Sequence, residues 1–309
     1  MKTIKKVSLC VLASIIAFFS SLNAQNVNDA YRTETFQVDD NPAVMIRTSG
    51  GTIEAEGHSE NEVRVYMIVK RGSNVLSPGE ADLDDFDIDI RKTGNRVIAS
   101  AEKRSSGWFG SGSSNISISF IVQAPETASV EGNTSGGSVS AFNFTSPLKL
   151  STSGGTVTAE SIRSDTELRT SGGSIRLSDI SGSISARTSG GSITAEDIHG
   201  ASELQTSGGS IRLSNSSGPI SARTSGGSIR AELTEFNDDL DLRTSGGSIS
   251  IRIPRKDHFT VDLAGSRVDI ELRNFSGRSD RRSIEGEFGN GGPVLAARTS
   301  AGTVRVEYY

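Results

Sequence analysis

The tetrapeptide Thr-Ser-Gly-Gly occurs eight times in this 309-residue chain, beginning at Thr48, Thr134, Thr152, Thr170, Thr188, Thr206, Thr224 and Thr244. From Thr134 to Thr224 every step is 18 residues, and the last step is 20. A degenerate copy, Thr299-Ser300-Ala301-Gly302, lies near the C-terminus. A short fixed period describes one structural unit stacked on copies of itself, since such a unit cannot bury its apolar face alone. The composition suits that reading. Glycine is abundant at 34 residues, and only 34% of the chain is apolar. A thin solenoid core needs fewer large side chains than a compact globule does.

The unit from Thr170 to Arg187 contains two alternating runs. Ile175 and Leu177 point one way and Ser174, Arg176 and Ser178 the other; Ile184 and Ala186 then alternate with Ser183, Ser185 and Arg187. Period-two alternation of β-branched residues bounded by Gly and Ser predicts strands. The density of Gly, Ser and Thr disfavours helix. Stacking such units predicts an all-β, parallel β-helix with rungs of about 18 residues. At about 4.8 Å per rung, the regular block stands roughly 30 Å tall. The glycine pairs Gly136-Gly137, Gly154-Gly155, Gly172-Gly173, Gly190-Gly191, Gly208-Gly209, Gly226-Gly227 and Gly246-Gly247 mark the corners. There they are expected to supply positive φ or a bulge.

A 36-residue period overlies the first. The eighth position of successive units reads Ala159, Leu177, Ala195, Leu213, Ala231. Further along the same units come Leu168, Ala186, Leu204, Ala222 and Leu242. Each unit thus carries one Leu and one Ala in swapped places, which holds core volume constant if both face inward. The unit at Thr134 breaks the swap, with Ala141 and Leu150. On the outer face, Glu160, Glu196 and Glu232 alternate with Arg176 and Arg212. A diagonal charge ladder is expected there.

Residues 1–24 read as a secretory signal. Lys2, Lys5 and Lys6 precede a mostly apolar stretch from Val7 to Phe19, which is too short to span a bilayer, and Leu22-Asn23-Ala24 offers a cleavage site before Gln25. Cleavage removes Cys10, the only cysteine. It leaves 29 basic against 37 acidic residues. An acidic surface disfavours nucleic acid and anionic membranes, and no later segment is apolar enough to cross a membrane. Residues 25–130 are expected to form irregular β rungs or a cap, with a separate small domain as the alternative. Residues 131–253 form the regular solenoid and 254–309 a second irregular cap.

The run Leu204-Gln-Thr-Ser-Gly-Gly-Ser-Ile211 resembles the bacterial putative-adhesin family of secreted β-strand-repeat proteins. Ser119-Phe-Ile-Val-Gln-Ala-Pro125 and Phe288-Gly-Asn-Gly-Gly292 are similar to its flanking motifs. The resemblance implies a right-handed, single-chain parallel β-helix, an extracytoplasmic location and an adhesive or scaffolding role. It brings no catalytic residue and no cofactor.

Few residues point to chemistry. His58, His199 and His258 do not recur in the repeat and lack metal-ligand spacing. Asp85, Asp87 and Asp89 share one strand face and form a candidate calcium site, but no turn glycine accompanies them. A solvated acidic face is the better account. The glycine pairs lead into strands, so they are not phosphate loops. The Thr and Ser columns are either a binding array or internal partners for turn amides, and their position against the glycines favours the second. Trp108 and Phe109, in a Gly/Ser-rich loop, are a candidate contact for a cell-surface glycan or envelope protein. They can equally cover an open end of the stack. The sequence therefore predicts a non-enzymatic adhesin-like or scaffold protein of the periplasm, cell surface or medium. The alternatives are an enzyme acting on polysaccharide and a self-assembling filament component.

Overall fold

The structure, a computed structural model, describes residues 27–104 and 115–309. These form two 14-stranded sheets, here sheet I and sheet II, and a single three-residue 3-10 turn. Each regular repeat gives one strand to each sheet. Ile184–Arg187 lies in sheet II, the Thr188-Ser-Gly-Gly corner follows, and Ile193–His199 lies in sheet I. Ile193–His199 pairs in parallel with Ile175–Ser181 on one side and Ile211–Ser216 on the other. Ile193 is thus in register with Ile175 and Ile211, one repeat away in each direction. The architecture is a two-sheet parallel solenoid.

Between the sheets runs one continuous apolar cluster. The alternating columns face it. Ala159, Leu177, Ala195, Leu213 and Ala231 are buried in sheet I; Leu168, Ala186, Leu204, Ala222 and Leu242 are buried in sheet II. Large and small side chains alternate from rung to rung in both columns, as register pairs Leu177↔Ala195 and Ala186↔Leu204 illustrate.

The stack is not ordered as the chain is. Ala43–Thr48 and Ile53–His58 lie directly against Ser129–Thr134 and Val139–Phe144. At the other end Val294–Thr299 and Thr303–Tyr308 lie against Leu240–Thr244 and Ile249–Ile253. The first and the degenerate motif copies therefore join the regular stack as further rungs. The intervening chain closes the ends, partly with antiparallel strands. Arg32–Gln37 pairs with Glu62–Arg71, and Phe86–Thr93 with Arg96–Lys103. Phe259–Ala264 and Phe275–Ser279 flank Ser283–Phe288.

Two expectations are corrected. None of the paired motif glycines has positive φ. The left-handed residues are instead Asn143, Ser161, Asp179, Asp197 and Asn215, one repeat apart, at φ of 64, 55, 54, 54 and 51°. Asn and Asp tolerate this conformation better than most residues. It bulges the strand in sheet I, so that Phe144, Ile162, Ile180 and Ile198 still turn inward. The charge ladder also differs. Arg176 pairs in register with Thr158 and Thr194, which leaves Glu160 and Glu196 two residues further along the neighbouring strands. Diagonal neighbours are about 7–8 Å apart, and among the described residues no ion pair links Arg176 to either glutamate. The cross-rung pairs of the central repeats form mainly on sheet II, with Arg187–Glu203 and Arg223–Asp241 both at 2.6 Å.

Candidate functional site

The most regular polar feature is the column of motif threonines, all buried. Each lies at the end of a sheet II strand, where the chain turns toward sheet I. The Thr152 hydroxyl donates to Gly137 O of the preceding rung at 2.8 Å and accepts the N–H of its own Gly155 at 3.3 Å. Thr170, Thr188, Thr206, Thr224 and Thr244 repeat both bonds. Thr299 does the same with Gly247 O and Gly302 N, so the degenerate copy keeps the geometry. Thr134 reaches Gly51 O, and Thr48 reaches Ile118 O.

A second hydroxyl ladder runs beside it. The N–H groups of Ser192, Ser210, Ser228 and Ser248 each donate to the serine hydroxyl one rung earlier, at 3.2 Å. The threonine ladder is consumed inside the stack, whereas the serine ladder lies at the surface, with Ser210, Ser228 and Ser248 exposed. The threonine array is therefore a structural device and presents no row of hydroxyls to a ligand. The second glycine of each pair is required by contact. A Cβ on Gly173 would sit 1.8 Å from Gly155 O, and one on Gly191 2.0 Å from Gly173 O. The first glycine is not so confined, as Gly172 would meet nothing nearer than 3.6 Å.

The remaining candidates are scattered. Asp87 and Asp89 lie on the edge strand Phe86–Thr93, where Asp89 is ion-paired with Arg91. Among the described residues no group of three or more His, Cys, Asp or Glu is placed to hold a metal. His58 and His258 accept backbone N–H groups of Glu60 and Asn290 through Nδ1, while His199 Nδ1 meets the Ser217 hydroxyl at 2.9 Å. Trp108 and Phe109 lie outside the described residues. Asp179 is held below the usual carboxylate range, first by its hydrogen bond with Arg163. Burial, and then the neighbouring Glu56, push Glu54 up.

Sequence reasoning passed over a cluster in the C-terminal cap. The Phe259 and Phe288 rings stack at 4.3 Å, Phe236 meets Phe259 edge-on, and Phe275 leans on Phe288. Arg255 lies 5.5 Å over the Tyr308 ring. The Tyr308 hydroxyl is buried without a hydrogen-bond partner among the described residues, and burial raises its pKa to about 12. The signal was present as a concentration of aromatic residues after position 235. No repeat organises it, so nothing in the spacing announced a cluster.

Two parallel sheets joined at hydroxyl-bonded glycine corners define the class: a β-solenoid whose repeat is structural. The chain belongs to the Toastrack DUF4097 family, which it matches over residues 25–307. Among solved structures it is similar to a putative cell adhesion protein from Clostridium sporogenes, at 8% identity and a TM-score of 0.23, covering 90% of this chain and 99% of that one. It is also similar to a putative adhesin from Bacteroides fragilis, at 10% identity and a TM-score of 0.29, covering 89% and 96%. No curated protein matches the chain. Among the described residues no helix is long and apolar enough to cross a membrane.

Proposed function

We propose that this chain is a non-enzymatic, extracytoplasmic adhesin-like scaffold: a stiff rod, coiled right-handedly, that holds a contact surface away from its point of origin. In this reading residues 1–24 are the secretory leader, 131–253 the rod, and 25–130 and 254–309 its two caps. The handedness rests on general sterics, since parallel strands joined through a crossover are right-handed in about 98% of cases.

One observation carries the reading. The motif's threonine hydroxyls are used between rungs, while the outward positions of the sheet II strands vary. Inside sheet II the column Ile184, Ser202, Ile220 and Leu240 stays buried; outside it, the neighbouring column runs Ser185, Glu203, Ser221 and Asp241. On sheet II, strands uniform within and irregular without favour stiffness over a repeated ligand site on that face.

The contact itself is assigned to Trp108 and Phe109, because the sequence sets them as an aromatic pair in a Gly/Ser-rich run and aromatic residues are favoured binding anchors. The test is binding of the chain from Gln25 onward to intact cells and to a glycan array. Trp108→Ala with Phe109→Ala should weaken that binding at least tenfold without altering the circular dichroism. Unchanged binding removes the aromatic pair from the reading; turnover of a polysaccharide with no binding elsewhere overturns the reading itself. Protease accessibility on intact cells tests the location.

A further inference from the structure

Within the regular block one step departs from 18 residues, the 20-residue step from Thr224 to Thr244. The two extra residues fall in the turn between Ile229–Leu233 and Leu240–Thr244. The 18-residue units close the same turn without them. This turn meets the chain where it leaves the regular stack after Ile249–Ile253. Lys256 Nζ donates to Phe236 O at 2.6 Å and to Asn237 Oδ1 at 3.0 Å. It also lies 5.8 Å from the centre of the buried Phe236 ring. Asn237 Nδ2 donates to Glu235 Oε2 at 3.2 Å. Among the described residues Lys256 has no carboxylate partner.

An amine against the carbonyl of a primary amide, with a carboxylate on the amide nitrogen, is the set of groups that acyl transfer needs: nucleophile, acyl group and proton carrier. The two hydrogen bonds settle which end of the Asn237 amide is oxygen, because an ammonium only donates and a carboxylate only accepts. With Nζ 3.0 Å from Oδ1, Cγ lies one bond beyond, and a small rotation brings it into attack range.

We propose that Lys256 and Asn237 join in an intramolecular amide bond, promoted by Glu235. The neutral Nζ adds to Cγ, the Cγ–Nδ2 bond breaks, and Nδ2 leaves as ammonia. One proton passes from Nζ to Nδ2, carried by the Glu235 carboxylate. Nothing is oxidised or reduced, and no co-reactant is needed. Glu235 and Asn237 are exposed, so the ammonia escapes and the step does not reverse. Only a neutral amine attacks, so the reaction is slow at neutral pH and faster in alkali. The bond links side chains 19 residues apart and staples two neighbouring rungs where the chain departs for the C-terminal cap. Such a link needs no thiol, and the chain has no cysteine beyond Cys10. It is independent of the adhesin-like reading, and either can fail without the other.

The experiment is peptide mapping by mass spectrometry of the chain from Gln25 onward, after incubation at about pH 9. Trypsin should release a branched peptide in which residues 231–243 are joined to 256–267, short of the summed mass by one ammonia. An N-terminal glutamine loses ammonia by itself, so the branch and not the intact mass decides. Lys256→Arg and Asn237→Ala should give no branch. Glu235→Gln should form it at least about tenfold more slowly. Circular dichroism checks that each variant is folded, and the wild-type map stands without them. Wild-type 231–243 recovered only unlinked after prolonged incubation overturns the proposal, as does a branch that survives Lys256→Arg. A branch formed at the wild-type rate by Glu235→Gln overturns the role of Glu235.

Discussion

The hydroxyl of Thr188 donates to the carbonyl of Gly173, 15 residues earlier and one rung away, at 2.8 Å. The same oxygen accepts the N–H of Gly191. One side chain thus ties a turn to itself and to its predecessor. Repeated along the column, this bond fixes the spacing at which the glycine corners nest.

Removing the hydroxyl while keeping the shape isolates that bond. Thr188→Val leaves Gly173 O and Gly191 N short of a partner in a buried corner. It should destabilise the fold by about 1–3 kcal/mol. Thr188→Ser should retain most of the stability. Urea unfolding followed by circular dichroism measures both, and equal losses for Val and Ser would show that the methyl group, not the hydroxyl, matters.

The two glycines of one corner should behave differently. Gly173→Ala drives a Cβ into Gly155 O and forces two rungs apart, with a loss of about 3 kcal/mol or more. Gly172→Ala meets only ordinary contacts and should cost about 1 kcal/mol or less. Thermal melts of the two proteins provide the comparison. Equal melting temperatures would mean that the corner is looser than its contacts indicate.

Leu177 lies in register between Ala159 and Ala195. Leu177→Ala therefore places three alanines side by side in the core, where little can collapse into the gap. The expected loss is about 2–5 kcal/mol. Ala195→Leu crowds the same column with three successive leucines and should cost about 1–3 kcal/mol. Denaturant midpoints check both values; a neutral Leu177→Ala would contradict the tight packing of the column.

Tyr308 gives the fold an alkaline weakness. Its pKa is raised from 10.0 to about 12 by burial first, then by Glu271. The folded state therefore favours the protonated phenol. That contribution is fully present below pH 10 and is lost as pH rises through about 12. Partial exposure limits the effect to about 1–2 kcal/mol. Tyr308→Phe should flatten this part of the stability profile. It should also leave neutral-pH stability unchanged or improved, because it removes a buried hydroxyl with no partner among the described residues. Stability measured between pH 8 and 12 for both proteins decides the matter.

Much of the rod was legible from residues that act locally. The 18-residue step placed Ile175, Ile193 and Ile211 in register, and the period-two alternation turned Leu177 and Ala186 inward. The position of the threonines beside the glycines pointed to internal bonding. Other features were not legible, because they depend on distance rather than pattern. Arg176 was placed on the outer face, but its separation from Glu160 depends on the strand register. The left-handed corner at Asp179 and Asp197 was hidden by the variety of Asn, Ser and Asp that can adopt it. The cap aromatics Phe259, Phe288 and Tyr308 come from segments with no shared period.

The sequence by itself determined the repeat length, the parallel stacking and the side of each strand that faces the core, since these follow from periodicity and side-chain polarity alone. Only the tertiary structure decided which rungs are neighbours at the ends. Thr134 bonds to Gly51 from 83 residues away, and Thr299 to Gly247 from 52. The physical reason is that a rung accepts any copy of the motif with the right corner, while the entropy of closing the intervening chain grows only slowly with its length. Proximity along the chain therefore does not choose the partner; the fit of threonine against glycine does.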